Sequence, residues 1–426
     1  MLFSNIDVVC ADGTVRANQY VGVTDRHIDY VGGKKPNKEY ERSYDGRGKL
    51  LLSGFVNSHC HVPMTLMRGY GEGLPLDRWL NERIFPFEAQ LNGDAVYYGS
   101  LLGIAEMFQA GITSFTEMYY FCGDIARAVL ETGISCNLSR GLTCFNDRPL
   151  SEQPAFDESR QLHETFHGAN DGQLLVDMCI HGEYTSTPRV VGEMADYARR
   201  IGSRMHIHLS ETKKEHEECI GRHGKTPAAY FDGLGVFDIP ATAAHCVHIT
   251  DSDRDILWEK GVTVAHCPTS NMKLGSGIAP VYALLKSGVN IALGTDGVAS
   301  NNNFDMIKEM RLAALLQNGS LGDPSMVSPA DVLHMATKAG ALGQGRPDTG
   351  EIVPGKMADL VVVEGRSVNM TPCYDKTVNL VYSAKSSDIK LTMCRGRVVY
   401  ENGGFPEMDI ERIQGQVTRI LSKISK

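Results

Sequence analysis

Two hydrophobic periods divide this chain. From about residue 95 to 300, an amphipathic helical stretch, a glycine and a short apolar, β-branched run follow one another repeatedly. The pattern is seen in AEMFQAGITSFTEM at Gly111, ARAVLETGISCNLS at Gly133, ADYARRIGSRMHIHL at Gly202, LWEKGVTVAHC at Gly261 and ALLKSGVNIALGTD at Gly288. Glycine ends a helix because it accepts a left-handed backbone without a Cβ clash. A continuous apolar run after it reads as a strand buried on both faces, as in a parallel sheet. Candidate strands fall at 51–59, 113–118, 135–141, 174–181, 205–211, 242–246, 262–267 and 290–296. Eight strands in β/α alternation predict an α/β fold, a (β/α)8 TIM-like barrel.

The two ends of the chain follow a different rhythm, with short strands and turn signals such as Asp12-Gly13, Gly32-Gly33, Pro354-Gly355 and Asn402-Gly403. Residues 1–52 plus 348–426 are therefore expected to form one small β-sandwich domain built by both termini, leaving 53–347 to the barrel. Two unrelated extensions are the alternative. At 426 residues, a large barrel with an appended module accounts for the length.

Composition narrows the function. The hydrophobic fraction of 42% with 22% charged residues is that of a globular protein, and no apolar run reaches the roughly 18 residues of a membrane span. The start MLFSNIDVVCADG has no basic segment leading into an apolar one, so a cytoplasmic protein is expected. The 11 cysteines are scattered without a CxxC pair, which argues against a disulfide framework. A net charge of −9 without blocks of like charge offers no footprint for nucleic acid or anionic lipid. The expected partner is a small molecule.

The chemistry gathers at predicted strand ends. His59 and His61 lie two apart at the end of the first strand, so their rings share a side; His208 ends the fifth and Asp296 the eighth. In a barrel these positions converge on one mouth. Imidazoles with one carboxylate suit Zn²⁺ or Fe²⁺ rather than Mg²⁺ or Ca²⁺, and one divalent ion per chain is expected, zinc first. The fourth strand ends in Cys179, Ile180 and His181 without a lysine. No Pro-Cys-x-x-Cys follows a His-x-Glu, which excludes the cytidine-deaminase type of zinc site. Any one histidine, read alone, is ordinary packing; the joint pattern carries the reading. His248 and His266 are read as structural.

The stretches SGFVNSHCH, HIHLSET, AAHCVH, HCPTSNMKLGSGIAPV and LGTDGVASNN resemble the amidohydrolase superfamily and, within it, the 5′-methylthioadenosine/S-adenosylhomocysteine deaminases. GLPLDRWLNERIFPFE and TGEIVPGKMADLVVV extend the similarity over nearly the whole chain. The resemblance implies hydrolytic deamination of an adenine ring at C6, by water whose pKa a metal lowers from 15.7 to about 7. Attack breaks the ring's aromaticity unless N1 gains a proton, and Glu211, three residues after His208, is placed to supply it. Asp296 would take the water's proton towards the leaving ammonia, and His245 would orient the nucleophile. Read alone, Glu211 is also a solvated carboxylate beside Lys213 and Lys214.

For substrate binding the resemblance implies Glu88 on the ribose hydroxyls, Arg140 and Arg148 on an amino-acid carboxylate, and His181 on the ring. Arginine presents a planar two-donor fork to a carboxylate, which favours S-adenosylhomocysteine. Gly182-Glu183-Tyr184 departs from the family pattern, and Glu183 would bring a negative charge near the substrate. Trp79 is a candidate pocket wall. Homo-oligomerisation is also what the resemblance suggests. The alternatives are the same barrel acting on guanine, a pterin or a triazine, and a metal-free scaffold without activity.

Overall fold

The computed structural model describes residues 1–424. Its central element is a parallel barrel whose strands are Phe55–Cys60, Ile112–Tyr119, Ser135–Arg140, the interrupted pair Leu174–Val176 and Met178–Cys179, Met205–Leu209, Ala241–His245, Thr263–His266 and Asn290–Leu293. The fourth strand breaks at Asp177. Its first half pairs with the third strand and its second half with the fifth, so hydrogen bonding runs from the first strand to the eighth in chain order.

Closure between the eighth strand and the first uses other groups. Asp296 N donates to His59 O at 2.9 Å, and the Asn57 amide bridges Thr295 through both its ends, accepting from Thr295 N at 2.9 Å and donating to Thr295 Oγ1 at 2.7 Å. A side chain thus does here what a backbone ladder does elsewhere. Gly294 lets the seam close, since a Cβ there would lie 2.9 Å from the backbone N and O of His59.

Helices cover the barrel as the alternation predicts. The glycines at 111, 133, 202, 261 and 288 all have φ between +62° and +86°, the left-handed region expected of a helix terminator. Helix starts carry matching chemistry: Asn92 accepts from Ala95 N, and Thr250 with Asp253 and Ser328 with Asp331 form reciprocal capping boxes.

One apolar run, 51–59, was expected to be a single strand and is divided instead. Lys49–Ser53 belongs to a second sheet and Phe55–Cys60 to the barrel, with the chain turning at Gly54, where a Cβ would meet Thr113 Oγ1 at 2.1 Å. The second sheet has eight strands from both ends of the chain. In order it joins Arg397–Glu401, Ile389–Cys394, Leu360–Glu364, Lys49–Ser53, Leu2–Val9, Val15–Thr24 and His27–Gly32, with Ser43–Asp45 beside Leu2–Val9. Period 2 is visible in its packing. Leu360 and Val362 enter a small core with Phe3, Val21 and Ile28, whereas Val361 and Val363 join the barrel's core. Among the described residues no helix is long and apolar enough to cross a membrane.

Candidate metal centre and reaction pocket

His59, His61, His208, His245 and Asp296 meet at the C-terminal mouth of the barrel. The ligand atoms of His59, His61 and Asp296 lie within 4.8 Å of one another, as do those of His59, His208 and His245. Asp296 Oδ1 is 3.3 Å from His61 Nε2 and 3.6 Å from His59 Nε2. His59, His208, His245 and Asp296 are buried.

Local backbone explains the convergence. His245 and Asp296 have φ of 75° and 61°, and Ser210 and Cys246 are also left-handed. Such conformations cost a non-glycine residue about 1–3 kcal/mol. They turn the chain out of strand geometry just where the side chains must face the mouth. Asp296 is then fixed by its neighbours: Oδ2 accepts from Ser270 Oγ at 2.6 Å and Ser300 Oγ at 2.9 Å, and Oδ1 from Gly297 N at 2.7 Å.

The histidines are oriented by their other ring nitrogen. His61 Nδ1 donates to Met118 O at 2.6 Å, His208 Nδ1 to His181 O at 2.6 Å, and His245 Nδ1 to Asn271 Oδ1 at 2.9 Å. Because those oxygens only accept, each Nδ1 carries the proton and each Nε2 presents a lone pair to the shared space. His59 Nδ1 lies 2.9 Å from His206 Nε2, and His206 Nδ1 lies 3.4 Å from Ser139 Oγ, which donates to Glu117 O. A proton on His59 Nδ1 satisfies this whole chain in one direction. His59 Nε2 is buried without a hydrogen-bond partner among the described residues. A buried orphan lone pair, with imidazoles and a carboxylate around it, fits a divalent cation.

Electrostatics agree with ligand duty. Burial pushes His59 down to about 3 and holds His61 and His208 below the usual histidine range, so all three are neutral. Burial alone would raise Asp296, but the surrounding histidines outweigh it and keep the carboxyl well below its usual range.

Glu211 sits beside this cluster, 3.8 Å from His245 Nε2, and accepts from Ser276 Oγ at 3.4 Å. It is 5% exposed, so it is not a solvated loop carboxylate; Lys213 and Lys214 turn away to Glu217 and Asp77. Burial raises its pKa against the opposing pull of His245, while burial on His245 is outweighed by the Glu211 and Asp296 carboxylates, which raise that imidazole.

His61, His208, Glu211, His245 and Asp296 line one pocket with His181, Glu88 and Trp79. His181 is held through Nδ1 by Thr185 Oγ1 at 3.0 Å and pushed down by burial to about 4, hence neutral. Glu88, raised by burial to about 7, lines the same pocket beside Tyr119. Arg140 lies in an adjoining cavity, paired with Glu158. The structure does not bring Arg148 to the pocket: it is exposed, on the loop after Gly141. Glu183 also faces elsewhere, buried against Arg222 at 2.5 Å and His223 at 2.8 Å, so it adds no charge to the pocket. His248 donates to or accepts nothing in the cluster, bonding Ser276 O at 2.7 Å instead.

His206, Ser270, Asn271 and Ser300 were not singled out from sequence. The signal for His206 was present: in HIHL it shares a strand face with His208, as His59 does with His61. Replacing His206 by Ala should weaken metal binding about 10–100-fold by freeing the His59 ring. Titration with a competing chelator checks this, and unchanged affinity would leave His206 as packing.

The sequence matches the Amidohydrolase family over residues 50–399. It is 42% identical over 403 residues to 5′-deoxyadenosine deaminase of Methanothermobacter thermautotrophicus, covering 95% of this chain and 93% of the relative. It is also 42% identical over 378 residues to 5-methylthioadenosine/S-adenosylhomocysteine deaminase of Pelotomaculum thermopropionicum, covering 89% and 87%. An adenosine deaminase from Xanthomonas campestris with bound zinc superposes with a TM-score of 0.93 at 29% identity, covering 99% and 98% of the two chains. With its barrel, its cluster at the strand ends and this match over most of its length, the chain belongs to the Amidohydrolase family.

Proposed function

We propose that this enzyme is a metal-dependent aminohydrolase that converts the adenine ring of a 5′-substituted adenosine to the hypoxanthine form with release of ammonia. The observation that carries the reading is one pocket lined both by the histidine and carboxylate cluster with buried Glu211 and by Glu88. The names of the relatives, deaminases of 5′-deoxyadenosine, methylthioadenosine and S-adenosylhomocysteine, support it.

His59, His61, His208 and Asp296 would hold one divalent ion, zinc by analogy with the zinc-bound neighbour. When bound, such an ion supplies Lewis-acid chemistry and a water of pKa about 7. The remaining steps belong to side chains. Glu211, whose carboxyl burial shifts towards its protonated form, donates to N1 as water adds to C6. Asp296 accepts one proton from that water and delivers it to the leaving amine. The water's second proton passes from the C6 hydroxyl to Glu211 as the C6 carbonyl forms, so the enzyme ends as it began. His245 hydrogen-bonds the attacking oxygen from its place between Glu211 and Asp296. Glu88 accepts from the ribose hydroxyls, and His181 borders the ring.

The test is loss of adenine absorbance and release of ammonia with methylthioadenosine, S-adenosylhomocysteine and adenosine, alongside metal analysis of the same protein. About one zinc per chain with turnover of at least one nucleoside is expected; bound metal without any turnover rejects the substrate class.

Glu88 adds a pH signature. Its pKa is raised to about 7, so the carboxylate form gains as pH rises through 7. KM for a nucleoside should fall between pH 6 and 8 and level off above, because the ionised carboxyl is the stronger acceptor. Glu88→Gln should raise KM and flatten this profile. A KM rise without flattening would assign the pH dependence to another group.

A further inference from the structure

We propose that Glu215 and His248 are positioning residues for proton transfer: with Ser276 they close a ring of hydrogen bonds that fixes where the Glu211 carboxyl stands in the reaction pocket. This rests on the deaminase reading above, in which Glu211 gives and takes the proton. The ring starts where the chain leaves the fifth barrel strand, Met205–Leu209. Ser210 has φ of 46°, a left-handed conformation that residues other than glycine avoid, and the next residue, Glu211, lines the pocket. Backbone groups that leave a sheet in a buried turn need other partners.

Glu215 supplies two of them. Its Oε1 accepts from Ser210 N at 2.9 Å and its Oε2 from Glu211 N at 2.7 Å, and the side chain is buried. Glu215 is the third residue of the helix Lys213–His223, which Thr212 caps. A glutamate at that place closes a capping box by reaching the cap residue's own N–H. These two bonds reach further back, to the turn that aims Glu211, so the start of the helix does not account for them. On the turn's other side, Ser210 O accepts from Val247 N at 3.1 Å and from His248 N at 2.9 Å, which ties it to the loop after His245. His248 Nε2 donates to Ser276 O at 2.7 Å, and Ser276 Oγ donates to Glu211 Oε1 at 3.4 Å. The path that begins at the Glu211 main chain thus returns to its carboxyl. Such bracing matters to rate because a displacement of about 1 Å at a reacting group can cost about 10²-fold.

The experiment measures kcat and KM for methylthioadenosine, zinc content and thermal unfolding in the zinc-loaded parent, Glu215→Gln, Glu211→Gln and the double variant. An amide keeps one acceptor but turns its own N–H towards the second backbone donor. Glu215→Gln should therefore lower kcat about 10- to 100-fold, with KM and zinc content within about twofold of the parent. In the Glu211→Gln background the same change should cost less than about twofold, because the group it positions is gone. Equal losses in both backgrounds overturn the inference and leave Glu215 a general support of the fold. An unchanged kcat in folded Glu215→Gln also overturns it, as does zinc loss in parallel with rate. His248 gives a second reading that decides alone where Glu215→Gln does not fold. His248→Ala should lower kcat about tenfold, and His248→Gln, whose amide still donates towards Ser276 O, should recover most of that loss. Equal rates in the two His248 variants overturn the ring as a positioning device. All these results come from an active parent and leave the deaminase reading standing; a zinc-loaded parent that turns over none of methylthioadenosine, S-adenosylhomocysteine and adenosine rejects that reading and this inference together.

Discussion

Glu211→Gln should lower kcat for a nucleoside by about 10²–10⁴-fold while leaving metal content and fold intact. That loss corresponds to roughly 3–5 kcal/mol of barrier. The substitution is nearly isosteric, and Glu211 is not among the atoms that cluster for a metal, so the ion has no reason to leave. What disappears is a carboxyl able to give and take a proton beside His245, 3.8 Å away. An amide can still donate a hydrogen bond to N1 of the ring, which keeps binding, but it cannot transfer the proton that water addition at C6 requires. The effect should therefore fall on kcat with KM little changed. A variant with full metal and a rate within tenfold of the parent would remove Glu211 from proton transfer. Loss of metal in parallel with rate would recast it as part of the ligand set.

Much of this site could be read from sequence because parallel strands place their ends together. His59, His61, His208, His245 and Asp296 occupy strand ends one, five, six and eight in the linear pattern, and closure of the barrel brings them into one space. The glycine terminators were equally legible, since a left-handed residue after a helix is a local requirement.

What stayed hidden depends on partners distant in sequence. Glu183 was placed near the substrate by its neighbours in the chain, but Arg222 and His223, about 40 residues further on, draw its carboxylate away. Arg140 looked available to a ligand until Glu158, on the following helix, was found bonded to it. The run 51–59 is apolar throughout, so periodicity gave no sign that the chain passes from one sheet to another at Gly54. The left-handed turns at His245 and Asp296 likewise leave no compositional trace, because the surrounding fold imposes them on residues that avoid such angles.

Asp296→Asn should be the most damaging single change at this centre, reducing turnover by more than about 10³-fold in a way that excess zinc does not restore. Two losses coincide. The first is charge: Asp296 Oδ1 lies 3.3 Å from His61 Nε2 and 3.6 Å from His59 Nε2, and it is the one anionic group in the candidate ligand set. A neutral amide binds a divalent ion more weakly, so metal content should drop at limiting supply. The second is basicity, because an amide cannot take a proton from the attacking water. The fold should persist: Ser270 and Ser300, which donate to Oδ2 in the parent, can rotate their hydroxyls to accept from an amide instead. Metal titration separates the two losses. If saturating zinc restores the rate to within tenfold, Asp296 is a ligand alone and the proton passes elsewhere. If the ion is fully retained and turnover is still lost, proton acceptance is its decisive contribution, and the coordination rests on His59, His61 and His208, the three imidazoles that burial keeps neutral.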